Sequence, residues 1–165
     1  MHELNDALYQ LAEATGLALK AKGWMLATAE SCTGGWVGEA VTAIPGSSAW
    51  YDRGFITYTN ESKQEMLGVQ PETLAQHGAV SEATVLEMAA GVLLHSHAHI
   101  SVAISGIAGP TGGSPDKPVG TVCFALGIRS GSLKSERCVF SGDRSEVRRK
   151  AVEHALRGVL ALLQL

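Results

Sequence analysis

Apolar residues recur at helical spacing near the start of the chain. Leu4, Leu8, Leu11, Thr15 and Leu19, flanked by Ala7, Ala14 and Ala18, predict a helix over 3–22 that Gly23 closes. Residues 24–29 form a short apolar run and predict a first strand. Residues 36–42 return to a helical pattern, which Pro45-Gly46-Ser47-Ser48 breaks. The β-branched and aromatic run 55–59 predicts a second strand. Asn60 then reads as the cap of a short helix over 61–67, ended by Gly68, and another short helix begins after Pro71. Ser81 caps a longer helix over 82–95, with Val85, Met88, Ala89, Val92 and Leu93 on one face. Residues 100–105 alternate apolar and small positions, as a strand does. Segments 119–128 and 133–140 predict a β-hairpin around Ser130-Gly131. Asp143 caps a last helix to about residue 163, whose inward stripe is Val147, Ala151, Ala155, Val159 and Leu162, with His154 at its polar edge.

The element order α-β-α-β-α-α-β-β-β-α predicts an α/β fold: a three-layer α/β/α sandwich, with helices on both faces of one sheet. The hairpin makes that sheet mixed rather than fully parallel. A length of 165 residues suits a single domain over 1–165. Segment 106–118 holds four glycines and three prolines in thirteen residues, so it is neither helix nor central strand. A loop of that length is commonly functional.

Thirteen basic against sixteen acidic residues give a net charge of −3, which argues against a nucleic-acid partner or an anionic membrane surface. No run approaches the ~20 apolar residues of a membrane span. The three cysteines, Cys32, Cys123 and Cys138, show no CxxC spacing. A disulfide framework or zinc knuckle is not expected, and a reducing, cytoplasmic setting fits best. The first residues show no signal-peptide pattern.

The chemistry concentrates in Thr28-Ala29-Glu30-Ser31-Cys32-Thr33-Gly34-Gly35, at a strand-to-helix turn. Two nucleophiles stand beside a carboxylate, and two glycines allow close approach to the backbone. The octet reads as an acyl-transfer site, an anion cradle, or a capped glycine-rich connection. Ser31, Tyr58 and Ser105 each lie at a strand's carboxyl end, where α/β sheets bind ligands.

A nucleophilic serine needs a base. His95, His97 and His99 belong to the opposite end of the sheet, and only His77 sits in a loop near the site, so a histidine triad is poorly supported. Lys63 is the alternative base, although its position alone reads as a solvated helix lysine. Burial would lower its pKa in the required direction. Cys32 is either a rival nucleophile or a small buried hydrophobe. The glycine-rich loop has neither the GxxxxGK[ST] nor the GxGxxG pattern. Lys117 and Arg144 could meet a phosphate, whereas Arg148 and Arg149 read as a solvated basic face.

Together these segments resemble the stand-alone CinA C-terminal domain family, which includes bacterial nicotinamide-nucleotide amidases. The segments that carry it are Ala29-Glu30-Ser31-Cys32-Thr33-Gly34-Gly35, Pro45-Gly46-Ser47-Ser48, Gly54-Phe55-Ile56-Thr57-Tyr58 with Asn60 and Lys63, and Gly78-Ala79-Val80-Ser81. To these add Ser105-Gly106-Ile107-Ala108-Gly109-Pro110, Lys117-Pro118-Val119-Gly120-Thr121-Val122 and Phe140-Ser141-Gly142-Asp143-Arg144. The resemblance spans nearly the whole chain and implies the single-domain form.

It implies hydrolysis of the carboxamide of nicotinamide mononucleotide (NMN) to nicotinate mononucleotide and ammonia, a step of pyridine nucleotide salvage. Its implied catalytic residues are Ser31 as nucleophile, Lys63 as general base and Tyr58 as helper. Ser48 would lie at the same site. Gly34 and Gly35 would wall the carboxamide, and Ser105, Gly106 and Arg144 would bind the nucleotide. Neither cofactor nor metal is required. A homo-oligomer is left open, as are two other readings: a catalytically silent nucleotide-binding module and a competence-related accessory protein.

Overall fold

The computed structural model describes residues 2–165, with side chains from Ala7 onward. The side chains of His2 and Leu4, and the start of the chain where a leader would lie, fall outside the described residues. Helix α1 (His2–Lys22) leads into β1 (Leu26–Glu30), and α2 (Trp36–Thr42) follows. A 3₁₀ turn at Ser47–Ala49 precedes β2 (Tyr51–Ile56). Helices α3 (Asn60–Leu67), α4 (Pro71–His77) and α5 (Glu82–Leu94) come next. The chain ends with β3 (Ile100–Gly106), β4 (Thr121–Ile128), β5 (Leu133–Val139) and α6 (Arg144–Leu163).

The five strands form one sheet in the order β2-β1-β3-β4-β5. Strands β2, β1 and β3 run parallel, while β4 and β5 are antiparallel to their neighbours. The mixed sheet follows from the connections: helical crossovers return β2 and β3 parallel to β1, while β3 to β4 and β4 to β5 are joined without a helix, by the glycine/proline loop and by a short turn, and return antiparallel.

Side-chain size separates the two faces. One face presents Leu26, Ile100, Val102, Ile104, Val122, Phe124 and Leu126, which pack with α1, α2 and α6 into the larger core. The other face presents Ala27, Ala29, Ala103, Cys123 and Ala125, against Val85, Met88, Ala89 and Val92 of α5. Small residues there let α5 approach closely, and Ser101 Oγ reaches the Ala89 carbonyl at 3.0 Å. Gly91 lies where α5 crosses α3; a Cβ there would stand 2.1 Å from the Leu67 carbonyl oxygen. Burying each large side chain contributes about 1.5–3 kcal/mol, so both layers hold the sheet.

Several boundaries move from their predicted places. Strand β2 begins at Tyr51, not 55, because Asp52 and Arg53 lie on a half-covered edge strand whose polar side chains hide the β pattern. Tyr58 therefore lies in the loop after β2 rather than in the strand. Thr59, not Asn60, caps α3: its Oγ1 accepts the Ser62 N–H at 3.1 Å, and Ser62 Oγ accepts the Thr59 N–H at 3.1 Å. This reciprocal box satisfies two helix-end donors. Strand β1 extends to Glu30, which is buried. Asp143 caps α6 in a second such box, with Glu146.

Among the described residues no helix is long and apolar enough to cross a membrane. The carboxyl ends of β2, β1 and β3 open on the same edge of the sheet, at Ile56, Glu30 and Gly106.

Candidate active site

Ser31 is the first residue past β1. Its N–H still follows the sheet, donating to the Ile104 carbonyl of β3 at 3.0 Å. The chain then turns tightly into α2, with the Gly34 N–H on the Ser31 carbonyl at 3.0 Å. Gly34 and Gly35 both adopt positive φ, 60° and 105°, which side-chain-bearing residues resist.

Glu30 holds this turn from inside. Its Oε1 accepts Thr33 Oγ1–H at 2.6 Å and the Val37 N–H at 2.8 Å, and its Oε2 accepts the Gly38 N–H at 3.0 Å. The carboxylate thus serves the donors at the start of α2, where negative charge is favoured. Arg148 of α6 grips the turn from outside. Its Nε donates to the Cys32 carbonyl at 3.0 Å and its Nη2 to the Thr33 carbonyl at 3.3 Å, while the guanidinium lies 5.5 Å from the Trp36 ring. The solvated reading of Arg148 is corrected: its guanidinium is spent on the carbonyls of Cys32 and Thr33, the latter shared with the Trp36 N–H. Arg149 pairs instead with Glu153 at 2.6 Å.

Lys63 departs most from its position-based reading. It is 1% exposed, not solvated. From the first turn of α3 its side chain runs inward, and Nζ donates to Ser31 Oγ at 3.0 Å and to the Thr57 carbonyl at 2.7 Å. No carboxylate pairs with it among the described residues. Burial pushes its pKa below the usual lysine value, and the nearby Cys32 thiol opposes this only in part. A buried amine with no counter-ion is driven towards its neutral form, the form a base needs. Ser31 is also buried, at 7% exposure. Beside the pair, Thr57 Oγ1 is buried with no hydrogen-bond partner.

Cys32 follows Ser31 and lies against Gly106, where a Cβ would stand 3.1 Å from Sγ. Burial raises its thiol pKa to about 11. A thiol so protonated is a poor nucleophile near neutrality.

Ser31 and Lys63 open into a cleft of about 260 Å³, lined also by Cys32, Tyr58, Val80, Ser105, Gly106 and Arg144. Arg144 stands at its mouth, with Nη1 on the Gly109 carbonyl at 2.8 Å and Nη2 on the Tyr58 hydroxyl at 3.0 Å. Tyr58 is 59% exposed, and its hydroxyl meets Arg144 rather than Lys63.

Four expected site residues are not brought to this cleft. Ser48 is exposed on the 3₁₀ turn before β2, at the amino end of the parallel strands. The five steps from Leu26 to Ser31 along β1 put it about 17 Å or more from the nucleophile. Gly34 and Gly35 line the other side of the turn, where a Cβ would face Arg148 and Ile56 respectively. Lys117 Nζ is bound to the His77 carbonyl at 2.6 Å, outside the cleft. Of the histidines, His95 and His97 are exposed and His99 stacks on Trp24 at the far end of the sheet.

Residues 8–163 match the family described as the CinA C-terminal domain. Over 152 residues the chain is 59% identical to "Nicotinamide-nucleotide amidohydrolase PncC" of Escherichia coli (strain K12), covering 92% of each chain. It is 48% identical over 157 residues to the protein of the same name from Pseudomonas putida, covering 95% of this chain and 98% of that one. Among solved structures, the competence/damage inducible protein CihA from Agrobacterium tumefaciens superposes with a TM-score of 0.92 at 46% identity, over 96% of each chain.

Proposed function

The chain belongs to the CinA C-terminal domain family, and from that premise we propose that it is a nicotinamide-nucleotide amidase. It converts NMN and water to nicotinate mononucleotide and ammonia through a Ser31 acyl-enzyme. The observation that carries this reading is the buried Lys63 amine, 3.0 Å from Ser31 Oγ and unpaired with any carboxylate among the described residues.

Neutral Lys63 takes the proton of Ser31 as Oγ attacks the carboxamide carbon. The carbonyl oxygen becomes an oxyanion beside the turn. The N–H groups of Cys32 and Thr33 donate to no backbone carbonyl among the described residues, which leaves them for that charge. Such donors are worth a few kcal/mol in the transition state. The C–N bond then breaks, Lys63 delivers its proton to the departing nitrogen, and ammonia leaves. Water attacks the ester, Lys63 accepts its proton, and Ser31 recovers it as the acid departs. No step calls on a metal or cofactor.

The pyridinium charge withdraws electrons from the carboxamide and favours attack. Arg144 at the cleft mouth, with the segment from Ser105 to Gly109, meets the ribose phosphate. A guanidinium suits that group because it offers parallel donors. Tyr58 holds Arg144 in place through its hydroxyl. Binding energy from the phosphate end positions the amide for attack.

The test is ammonia release by purified protein from NMN, nicotinamide riboside and nicotinamide side by side. NMN should be turned over fastest, by kcat/KM. Binding of NMN with no turnover at high enzyme concentration would make the chain a silent nucleotide-binding module.

A further inference from the structure

Glu136 and Cys138 are two residues apart on β5, so their side chains share a face. That face meets α6 at His154. His154 Nε2 lies 3.6 Å from Cys138 Sγ and is hydrogen-bonded to Glu136 Oε1. One ligand atom from each residue falls within 4.8 Å of the others, the one such group of three among the described residues.

From this convergence we propose a zinc-binding site formed by Glu136, Cys138 and His154, separate from the active site. The distances suit the ion. With Zn–S near 2.3 Å and Zn–N near 2.0–2.1 Å, two ligands of a tetrahedral zinc stand about 3.5–3.6 Å apart. Cys138 and His154 already have that spacing. Glu136 must draw back from the ring by roughly 1 Å to reach its own ligand position. Its side chain is 53% exposed on the edge strand and is free to do so.

The imidazole is held in advance. Its ring packs 4.6 Å from Phe124 and 5.8 Å from Phe140, at 53° and 62° to them. Orientation of a ligand before the metal arrives raises affinity. A thiolate, an imidazole and a carboxylate select zinc over magnesium or calcium, and the solvent side of β5 leaves a fourth position for water. Bound zinc ties the edge strand to α6, and binding only the folded state raises stability.

Cobalt(II), which reports thiolate ligation by its spectrum, is titrated into the reduced, chelator-treated full chain. One equivalent should produce a near-ultraviolet thiolate-to-cobalt band and visible bands of tetrahedral intensity, and zinc should discharge both. Cys138→Ser should abolish the ultraviolet band, and His154→Gln should collapse the visible ones. Zinc should raise Tm in the wild type and not in Cys138→Ser, whose half-exposed site tolerates the change without loss of packing. Absence of the bands in the wild type, or their survival in Cys138→Ser, would overturn the site.

Discussion

Replacing Lys63 by methionine separates what the amine does chemically from what it costs the fold. Methionine keeps much of the stem's length and removes Nζ. The chemical loss is that of a general base, typically 10²–10⁴-fold, so kcat/KM for NMN should fall by about that factor. The effect on folding has two opposed parts. The Thr57 carbonyl, which Nζ serves at 2.7 Å, loses its donor at a cost of about 1–3 kcal/mol if left unpaired. Against this, each pH unit by which burial lowers the amine's pKa costs the charged native form about 1.4 kcal/mol, and methionine escapes that cost. The folded pKa lies below the unfolded value, so between the two the unfolded chain holds more protons. Wild-type stability relative to Lys63→Met should therefore rise as pH climbs through the folded pKa towards 10.5. Urea denaturation of both proteins across that range measures it. Wild-type kcat/KM should climb about tenfold per pH unit below the Lys63 pKa, and the variant should lose that limb. A variant within about threefold of wild type, or a flat difference in stability against pH, would refute the buried-base argument.

Glu30→Gln keeps the shape but leaves one carboxamide oxygen to serve the three donors at Thr33, Val37 and Gly38. We expect about 1–3 kcal/mol of lost stability by urea denaturation, and a fall in kcat larger than any change in KM. Arg144→Ala should raise KM for NMN by about 10–100-fold, the worth of a charge-assisted hydrogen bond, and change nicotinamide riboside kinetics little. Cys32, with its thiol near pKa 11, should resist iodoacetamide at pH 7.5, while the more exposed Cys138 is labelled first, as peptide mass mapping would show.

Much of the fold was legible because its signals are local. Gly23 and Gly68 at helix ends, Ser81 and Asp143 at helix starts and the glycine/proline segment each act through their own backbone. The edge strand β2 was harder, since the adjacent charged residues Asp52 and Arg53 break the apolar alternation. Lys63 was unreadable from position. Helix α3 is polar from Asn60 to Glu65, and what buries its lysine is the loop at Thr57 and the Ser31 turn, both brought in by the sheet. Arg148 was misread for the same reason: the two carbonyls it serves lie more than a hundred residues away along the chain. Ser48 was carried to the site by resemblance, but the direction of β2 takes it to the other end of the sheet. The grouping of Glu136, Cys138 and His154 needs a strand and a helix to meet, and no spacing along the chain announces it.

The central claim is that Ser31, not its neighbour, attacks the amide. Ammonia release from NMN by wild type, Ser31→Ala and Cys32→Ala, measured side by side, tests it most directly. The account predicts that Cys32→Ala keeps its turnover and Ser31→Ala loses it. An active Ser31→Ala beside a dead Cys32→Ala would contradict it.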